Sequence, residues 1–225
     1  MQLNIRSISS KLIFGGVIAV MAPLLVVGFL SFSKSKTALM TISENQVQGI
    51  ASDLARMTQN TLTIEMNRAA TMASQKRVIE LAMAVKASGI DENEDRAKDV
   101  YEALKRQFAM MGENYQGIFI TDASGMIYTG VLEGGSVYNR IDLSGNPSFR
   151  KAKDSGRVNI SEMIISKATG KPATSAFAPI KSDRGEFLGV FGTVIKAQYF
   201  TDLISQRKIG ETGYALPLWM GSRAS

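Results

Sequence analysis

The chain has 225 residues, of which 45% are hydrophobic and 20% charged, an ordinary composition for one or two folded domains. It contains no Cys and no His, which excludes thiolate and imidazole nucleophiles and zinc sites of the usual nitrogen and sulfur type within this sequence. The formal charge of +6 comes from scattered basic residues, without the interleaved aromatic residues of a nucleic-acid platform. We therefore predict no nucleic-acid partner, no metal and no cofactor.

The first predicted element is a membrane span. Residues 12–33 carry no charge, and as a helix they cover about 33 Å, enough for a hydrocarbon core of about 30 Å. Lys11 and Lys34 bracket this segment, and Pro23 lies where lipid-embedded helices tolerate a kink. A cleaved signal peptide is the alternative, but the apolar segment is long for one and no small-residue cleavage site follows it. We predict an uncleaved, single-pass anchor in the cell inner membrane, with residues 1–11 in the cytoplasm and the remainder periplasmic or extracellular.

The second predicted element is a long helix over residues 34–87. From residue 35 this segment contains no Pro and one Gly, and its apolar residues recur at helical spacing. A helix of about 50 residues needs a partner for its apolar stripe, either a second copy of the chain or a globular domain along its far half. Because the helix follows a membrane anchor, we favour a stalk in a homodimer over a plain helix in a bundle.

From residue 88 onward the pattern predicts a globular domain that ends near residue 206. A polar loop over 88–95 precedes a helix over 96–111, and the hydrophobic period then changes to that of strands. The predicted strands are 117–121, 126–130, 158–166, 172–180 and 186–195. A short helix over 146–156, with Pro in its first turn and Gly at its end, separates the second strand from the third, and an amphipathic helix over 196–206 follows the last.

This order of elements predicts an α+β fold, in which a five-stranded antiparallel sheet carries flanking helices on one side. A sheet covered by a helix leaves a hollow that suits a small ligand.

Three segments carry a resemblance to a known family. They are IFITDASGMIYTG, GNPSFRKAKDSGRVNISEMIISKATGKPATSAFAPI and GEFLGVFGTVIKAQYFTDLI, all within residues 117–206. This region resembles the membrane-distal, PAS-like module of the double-Cache sensory domain in bacterial methyl-accepting chemotaxis receptors. The apolar start of the chain is similar to the first membrane span of such receptors. The resemblance implies an outside module that binds a small molecule and passes a motion to a cytoplasmic signalling region.

Residues 207–225 depart from the resemblance. IGETGYA, residues 209–215, resembles the first strand of the membrane-proximal module, but Pro217 interrupts the strand pattern and no periodicity follows it. We expect an incomplete second module here, as in a truncated or frameshifted product.

The resemblance also bears on the ligand. Amino-acid-binding members carry an Arg and a Trp on the short helix and an Asp on the last long strand. The matching positions here are Asn146, Ser148 and Val194, so the resemblance implies no amino-acid ligand, and an organic acid or another anion is favoured. Nearby basic, aromatic and hydroxyl side chains are the candidate ligand-binding residues, against the alternatives of a solvated surface and plain core: Tyr128, Arg140, Phe149, Arg150, Ser161, Met163, Ser175 and Phe177.

The sequence leaves the output of such a sensor open. A chemotaxis receptor is our first hypothesis, and the sensor front of a histidine kinase or a diguanylate cyclase is the alternative. An anchored hydrolase belongs to another class and needs two acids in one cleft. Asp122, Asp142 and Glu162 have the right side chains for that chemistry, but no diagnostic spacing supports catalysis. We therefore predict that the chain is not an enzyme.

Overall fold

A computed structural model describes residues 8–138, 140–205, 208–209 and 213–214. The chain divides into two units, residues 1–53 and 54–225.

The first helix, α1, covers Ile8–Ala73 and contains Pro23. Its side chains from Phe14 to Ser43 are exposed, including a long series of large apolar residues. Among the residues that the structure describes, α1 supplies the one helix that is long and apolar enough to cross a membrane.

The predicted helix over 34–87 needs correction, because the structure divides it into two. After α1 ends at Ala73, Gln75 adopts an extended conformation and a second helix, α2, covers Lys76–Ser88. The break lets α2 bury four apolar residues against the sheet: Val78, Leu81, Ala82 and Val85. This burial is a tertiary effect that helical periodicity alone does not reveal.

The third helix, α3, covers Glu94–Met111 and follows a single 3-10 turn at Asp91–Asn93. Asn93 is buried, and its side-chain amide donates to the Ala84 and Gly89 carbonyls and to the Ser88 hydroxyl. These bonds connect the end of α2 to the start of α3.

The core of the second unit is an antiparallel sheet of six strands rather than five. The strands are β1 Tyr115–Thr121, β2 Ile127–Leu132, β3 Asn159–Ile160, β4 Ile164–Ile165, β5 Pro172–Lys181 and β6 Phe187–Lys196. Their order is β2-β1-β6-β5-β3, and β4 also pairs with β5. The segment predicted as one strand over 158–166 forms two short strands, because the Ser161 hydroxyl accepts a hydrogen bond from the Ser175 amide and takes the place of a ladder partner.

The two faces of the sheet have different covers. Helices α2, α3 and the end of α1 pack on the face that presents Ile118, Ile120 and Phe191. The opposite face presents Phe119, Phe177, Val190 and Val194. It is covered by Tyr138, Ile141 and Leu143 and by a fourth helix, α4, over Pro147–Ser155. The α+β prediction with flanking helices is confirmed, but α4 places a helix on the second face as well.

A fifth helix, α5, covers Ala197–Ser205 and buries Phe200 beside Tyr115 and Ile195. Beyond it, β7 (Lys208–Ile209) pairs with β8 (Gly213–Tyr214). The interruption predicted at Pro217 and the tail that follows it lie outside the described residues.

Candidate functional site

A cavity of about 70 Å³ lies on the face of the sheet opposite α2 and α3. Strands β1, β5 and β6 form its floor through Phe119, Phe177 and Val194, which the strand period of two directs to the same face. The remaining lining residues come from β2, β4 and the irregular segments around them, with two more from β5: Ile127, Tyr138, Ile141, Leu143, Asn146, Ile164, Ser166, Lys167, Ala168, Ala173 and Ser175.

Tyr138 and residues 140–146 belong to a segment, which we call the cover, that is irregular but fixed to the sheet. The Ile127 amide donates to the Ile141 carbonyl at 3.0 Å, and the Leu143 amide donates to the Gly125 carbonyl at 2.9 Å. The Asp142 carboxylate accepts from the Ser144 amide at 2.7 Å, a bond that lowers the pKa of Asp142. These bonds hold the cover over the cavity although it has no regular secondary structure.

Two glycines make room for the aromatic rings of the cavity. The Phe119 ring lies directly on Gly192, where an added Cβ would fall 2.0 Å from the Phe119 Cζ atom. The Tyr138 hydroxyl lies over Gly117, where an added Cβ would fall 2.7 Å from the hydroxyl oxygen. The rings of Phe119 and Tyr138 meet edge to face, with centroids 5.6 Å apart. Close packing on glycine therefore determines where both rings border the cavity.

The Tyr138 hydroxyl is the most distinctive polar group of the cavity. Only 7% of Tyr138 is exposed, and its hydroxyl oxygen has no hydrogen-bond partner within the described ranges. Burial raises the pKa of this hydroxyl far above its ordinary value, so it remains protonated and able to donate. Because buried hydroxyls nearly always have a partner, an unpartnered one beside a cavity indicates a place for a polar atom from water or a ligand.

Other polar side chains border the same space. Asn146 is the N-cap of α4, and its Oδ1 accepts from the amides of Ser148 and Phe149. Its side-chain amide nitrogen therefore remains as a donor toward its surroundings. Ser175 is buried, and Lys167 is an exposed residue at the margin of the cavity. The lining thus combines a mostly apolar wall with a few hydrogen-bond donors.

The structure places the eight predicted ligand-binding residues in different environments. Ser175 and Phe177 line the cavity. Phe149 belongs to the same apolar cluster without lining the cavity, and Ser161 lies next to the site, where it bonds the Ser175 amide. The other four lie elsewhere. Tyr128 packs on the helix-covered face of the sheet, and Met163 packs beside Tyr115. Arg140 is exposed and pairs with Asp91, and Arg150 donates to the Ser144 carbonyl. A ligand-binding role for each of the eight stays a prediction.

Most of the lining was not among the predicted residues. The cover contributes Tyr138, Ile141 and Leu143, and it follows no helical or strand period that would identify it in a sequence. The signal that was available is the presence of three apolar residues in an irregular segment, which indicates a buried loop. Two of the positions that the resemblance identified, Asn146 and Val194, do line the cavity.

The three carboxylates with side chains suited to hydrolysis, Asp122, Asp142 and Glu162, lie outside the cavity. Asp122 accepts hydrogen bonds from the amides of Ser124, Gly125 and Met126, so it stabilises the turn between β1 and β2. Asp142 stabilises the cover in the same way, and Glu162 is exposed. None of the three lines the cavity.

A second buried polar cluster joins β1 to α1. The Tyr115 hydroxyl lies 2.8 Å from both carboxylate oxygens of Glu65, and Arg68 lies 3.3 Å from one of them. Glu65 is only 2% exposed, and this burial raises the pKa of its carboxyl, an effect that Arg68 partly opposes. The cluster therefore holds the sheet to α1 through a carboxylate that interacts little with solvent.

An antiparallel sheet with helices on one face and a small, partly polar cavity on the other defines a PAS-like module of the kind that binds small ligands. Comparison with known families agrees with this class, since a model described as a Cache domain (dCache_1) matches residues 33–217. The chain belongs to the Cache domain family, and the resemblance seen in the sequence is confirmed. Cache domains are sensory domains that bind ligands.

Solved structures that are similar to this chain include sensor domains of different receptors. The sensor domain of the V. cholerae histidine kinase DctB is 12% identical, with a TM-score of 0.54, over 74% of this chain and 59% of that one. A sensory box/GGDEF family domain from Vibrio parahaemolyticus is 13% identical, with a TM-score of 0.52, over 72% of this chain and 64% of that one. The Campylobacter jejuni chemoreceptor Tlp3 sensory domain with isoleucine bound is 13% identical, with a TM-score of 0.45, over 69% of this chain and 66% of that one.

This chain spans less than two thirds of the length of these three structures. Comparison of the sequence with curated proteins gives no significant match. At such low identity the structural likeness shows the fold alone.

Proposed function

We propose that the chain is the front of a membrane-anchored receptor, with its Cache domain in the periplasm or outside the cell. In this proposal residues 12–33 cross the inner membrane once, and residues 1–11 remain in the cytoplasm. The length and apolar character of α1 support the anchor, and the sensory nature of the family supports the role. A homodimer through α1 belongs to the proposal, because Leu39, Ile42 and Val47 are exposed apolar residues beyond the span.

The single observation that carries the binding function is the cavity beneath the cover, with the buried and unpartnered Tyr138 hydroxyl beside it. Side chains packed to the usual density of a protein interior leave few spaces larger than a water molecule. A space of about 70 Å³ is larger than that, and Tyr138, whose buried hydroxyl has no partner within the described ranges, is among the residues that line it. A small molecule with a polar end satisfies both features.

Binding would produce a signal only if the ligand favours one arrangement of the domain over another. The cover and β1 both border the cavity, and β1 contacts α1 through Tyr115 and Glu65. We propose that a shift of β1 on ligand binding reaches α1 through this cluster. The output beyond the membrane is proposed to be that of a chemotaxis receptor, as the resemblance in the sequence implies. A histidine kinase or a GGDEF protein is an equally supported alternative, since sensor domains of both share the fold.

A thermal-shift screen of the full chain in detergent micelles tests the binding function. Small acids, amines, alcohols and sugars are compared on the wild-type chain and on Ala168→Phe, which fills the cavity from its wall. Ala97→Phe is the matched control, because Ala97 is a half-buried alanine on α3, which packs on the opposite face of the sheet.

We expect at least one compound to stabilise the wild-type chain and Ala97→Phe in a saturable manner, and to lose this effect on Ala168→Phe. Absence of any stabilising compound would contradict the proposal, as would an equal response from Ala168→Phe. Turnover of the bound compound would instead favour an enzyme.

A further inference from the structure

We propose that the cavity selects a short aliphatic monocarboxylate, whose carboxylate lies toward Tyr138, Asn146 and Lys167 and whose alkyl part lies on the apolar floor. This inference rests on the proposed sensory function and names the chemical class of its ligand.

The size of the cavity limits the ligand first. A single enclosed water needs about 10–15 Å³. A cavity of about 70 Å³ therefore accommodates on the order of five or six water-sized groups. Sites for larger organic ligands measure about 300–1,000 Å³. The cavity thus suits an acid of about two to four carbons.

The charge of the lining determines the polar end. Among the described residues that line the cavity, Lys167 is the one that is charged, and none is an Asp or a Glu. An ammonium group would therefore find no carboxylate to neutralise it, whereas a carboxylate would meet a cation. Asp142 on the cover does not line the cavity. Its carboxylate accepts from the Ser144 amide and hydroxyl, and the nearby charge of Lys167 adds to the lowering of the Asp142 pKa that these bonds cause.

The hydrogen-bonding character of the lining agrees with its charge. The Tyr138 hydroxyl is buried, protonated and unpartnered within the described ranges. The Asn146 oxygen is occupied as the cap of α4, so that side chain offers the two N–H groups of its amide. A ligand that accepts hydrogen bonds satisfies both residues, and a carboxylate has two oxygens with which to do so.

The floor of the cavity has no comparable demand for polar atoms. Phe119, Phe177 and Val194 form an apolar floor, on which burial of a methylene group is favourable. An alkyl chain attached to the carboxylate therefore contributes affinity that a bare anion such as chloride cannot gain.

The test uses propionate as the probe on the full chain in detergent micelles, followed by calorimetry and thermal shift. Propylamine and propanol match its length without its charge, and hexanoate keeps the charge but exceeds the cavity. Lys167→Gln removes the cation, and Tyr138→Phe removes the hydroxyl. Lys171→Gln is the matched control, an exposed lysine that does not line the cavity.

We expect saturable stabilisation by propionate, with no response to propylamine, propanol or hexanoate. Lys167→Gln and Tyr138→Phe are each expected to weaken propionate binding about tenfold, the effect of one lost charged hydrogen bond, while Lys171→Gln leaves it unchanged. Equal binding of propylamine, or unchanged affinity in both cavity variants, would overturn the inference.

The same measurements separate this inference from the proposed function. If another class of compound stabilises the wild-type chain and loses its effect on Ala168→Phe while propionate has none, the ligand class is wrong and the sensory site stands. If no compound stabilises the chain, both proposals fail together.

Discussion

Replacement of Tyr115 by phenylalanine tests the link between the sheet and α1. The change removes one hydroxyl from a residue that is 3% exposed and keeps its ring in the core. That hydroxyl lies 2.8 Å from both oxygens of Glu65, which is 2% exposed. After the change the Glu65 carboxylate keeps its contacts with the Arg68 guanidinium. These contacts are long, at 3.3 and 3.4 Å, and the Arg68 side chain is partly solvated.

The structure gives the expected size of the effect. A hydrogen bond to a charged group contributes about 1.5–3 kcal/mol, and loss of the donor leaves the carboxylate poorly satisfied. We expect a loss of about 2 kcal/mol in the free energy of unfolding at neutral pH, or a drop of about 4–8 °C in Tm for a domain of this size. The loss should shrink under acidic conditions, because a protonated Glu65 needs the donor less.

The assay is thermal unfolding of the full chain in detergent, followed by circular dichroism at neutral and acidic pH. Tyr199→Phe is the control, because Tyr199 packs in the same cluster and its hydroxyl has no hydrogen bond within the described ranges. The double variant with Glu65→Gln should lose less than the sum of the single changes. A Tyr115→Phe variant as stable as Tyr199→Phe, or a loss independent of pH, would refute the reasoning.

Three further changes have definite expected outcomes. Burial raises the pKa of Glu65 in the folded state. The wild-type chain should therefore gain stability relative to Glu65→Gln as the pH falls through that raised pKa toward the ordinary value of 4.5. Denaturant unfolding at a series of pH values measures this, and parallel stability curves for the two proteins would contradict it. Gly192→Ala should push the Phe119 ring into the cavity and lower the free energy of unfolding by about 1–3 kcal/mol. Gly145→Ala, which has open space at the position of its Cβ, should leave the Tm unchanged when both variants are unfolded by heat. Asn93→Ala should destabilise the end of α2 by about 1–3 kcal/mol and speed amide exchange there, and unchanged exchange would argue against its capping role.

The helix α4 shows how much of the fold local sequence determines. Asn146 was expected near its start, with Pro147 in the first turn and Gly156 at the end. In the structure Asn146 caps the helix through its side chain, and Gly156 adopts the left-handed conformation that ends it. Such signals act over a few residues, so the sequence alone reveals them.

The break between α1 and α2 and the position of the cover depend on distant contacts instead. No Pro or Gly marks the end of α1 at Ala73, and the helix ends there because α2 packs on the sheet. The cover is fixed by bonds such as that from the Ile127 amide to the Ile141 carbonyl, which no periodic pattern encodes. For the same reason Tyr138 could not be recognised as a cavity residue before the fold was known.

A crystal structure of the chain with its stabilising compound would show whether the cavity beneath the cover is the binding site. We expect the compound to lie between the cover and the floor of β1, β5 and β6, with a polar atom within hydrogen-bond distance of the Tyr138 hydroxyl. A compound bound elsewhere, with the space beneath the cover filled by the protein's own side chains, would contradict it.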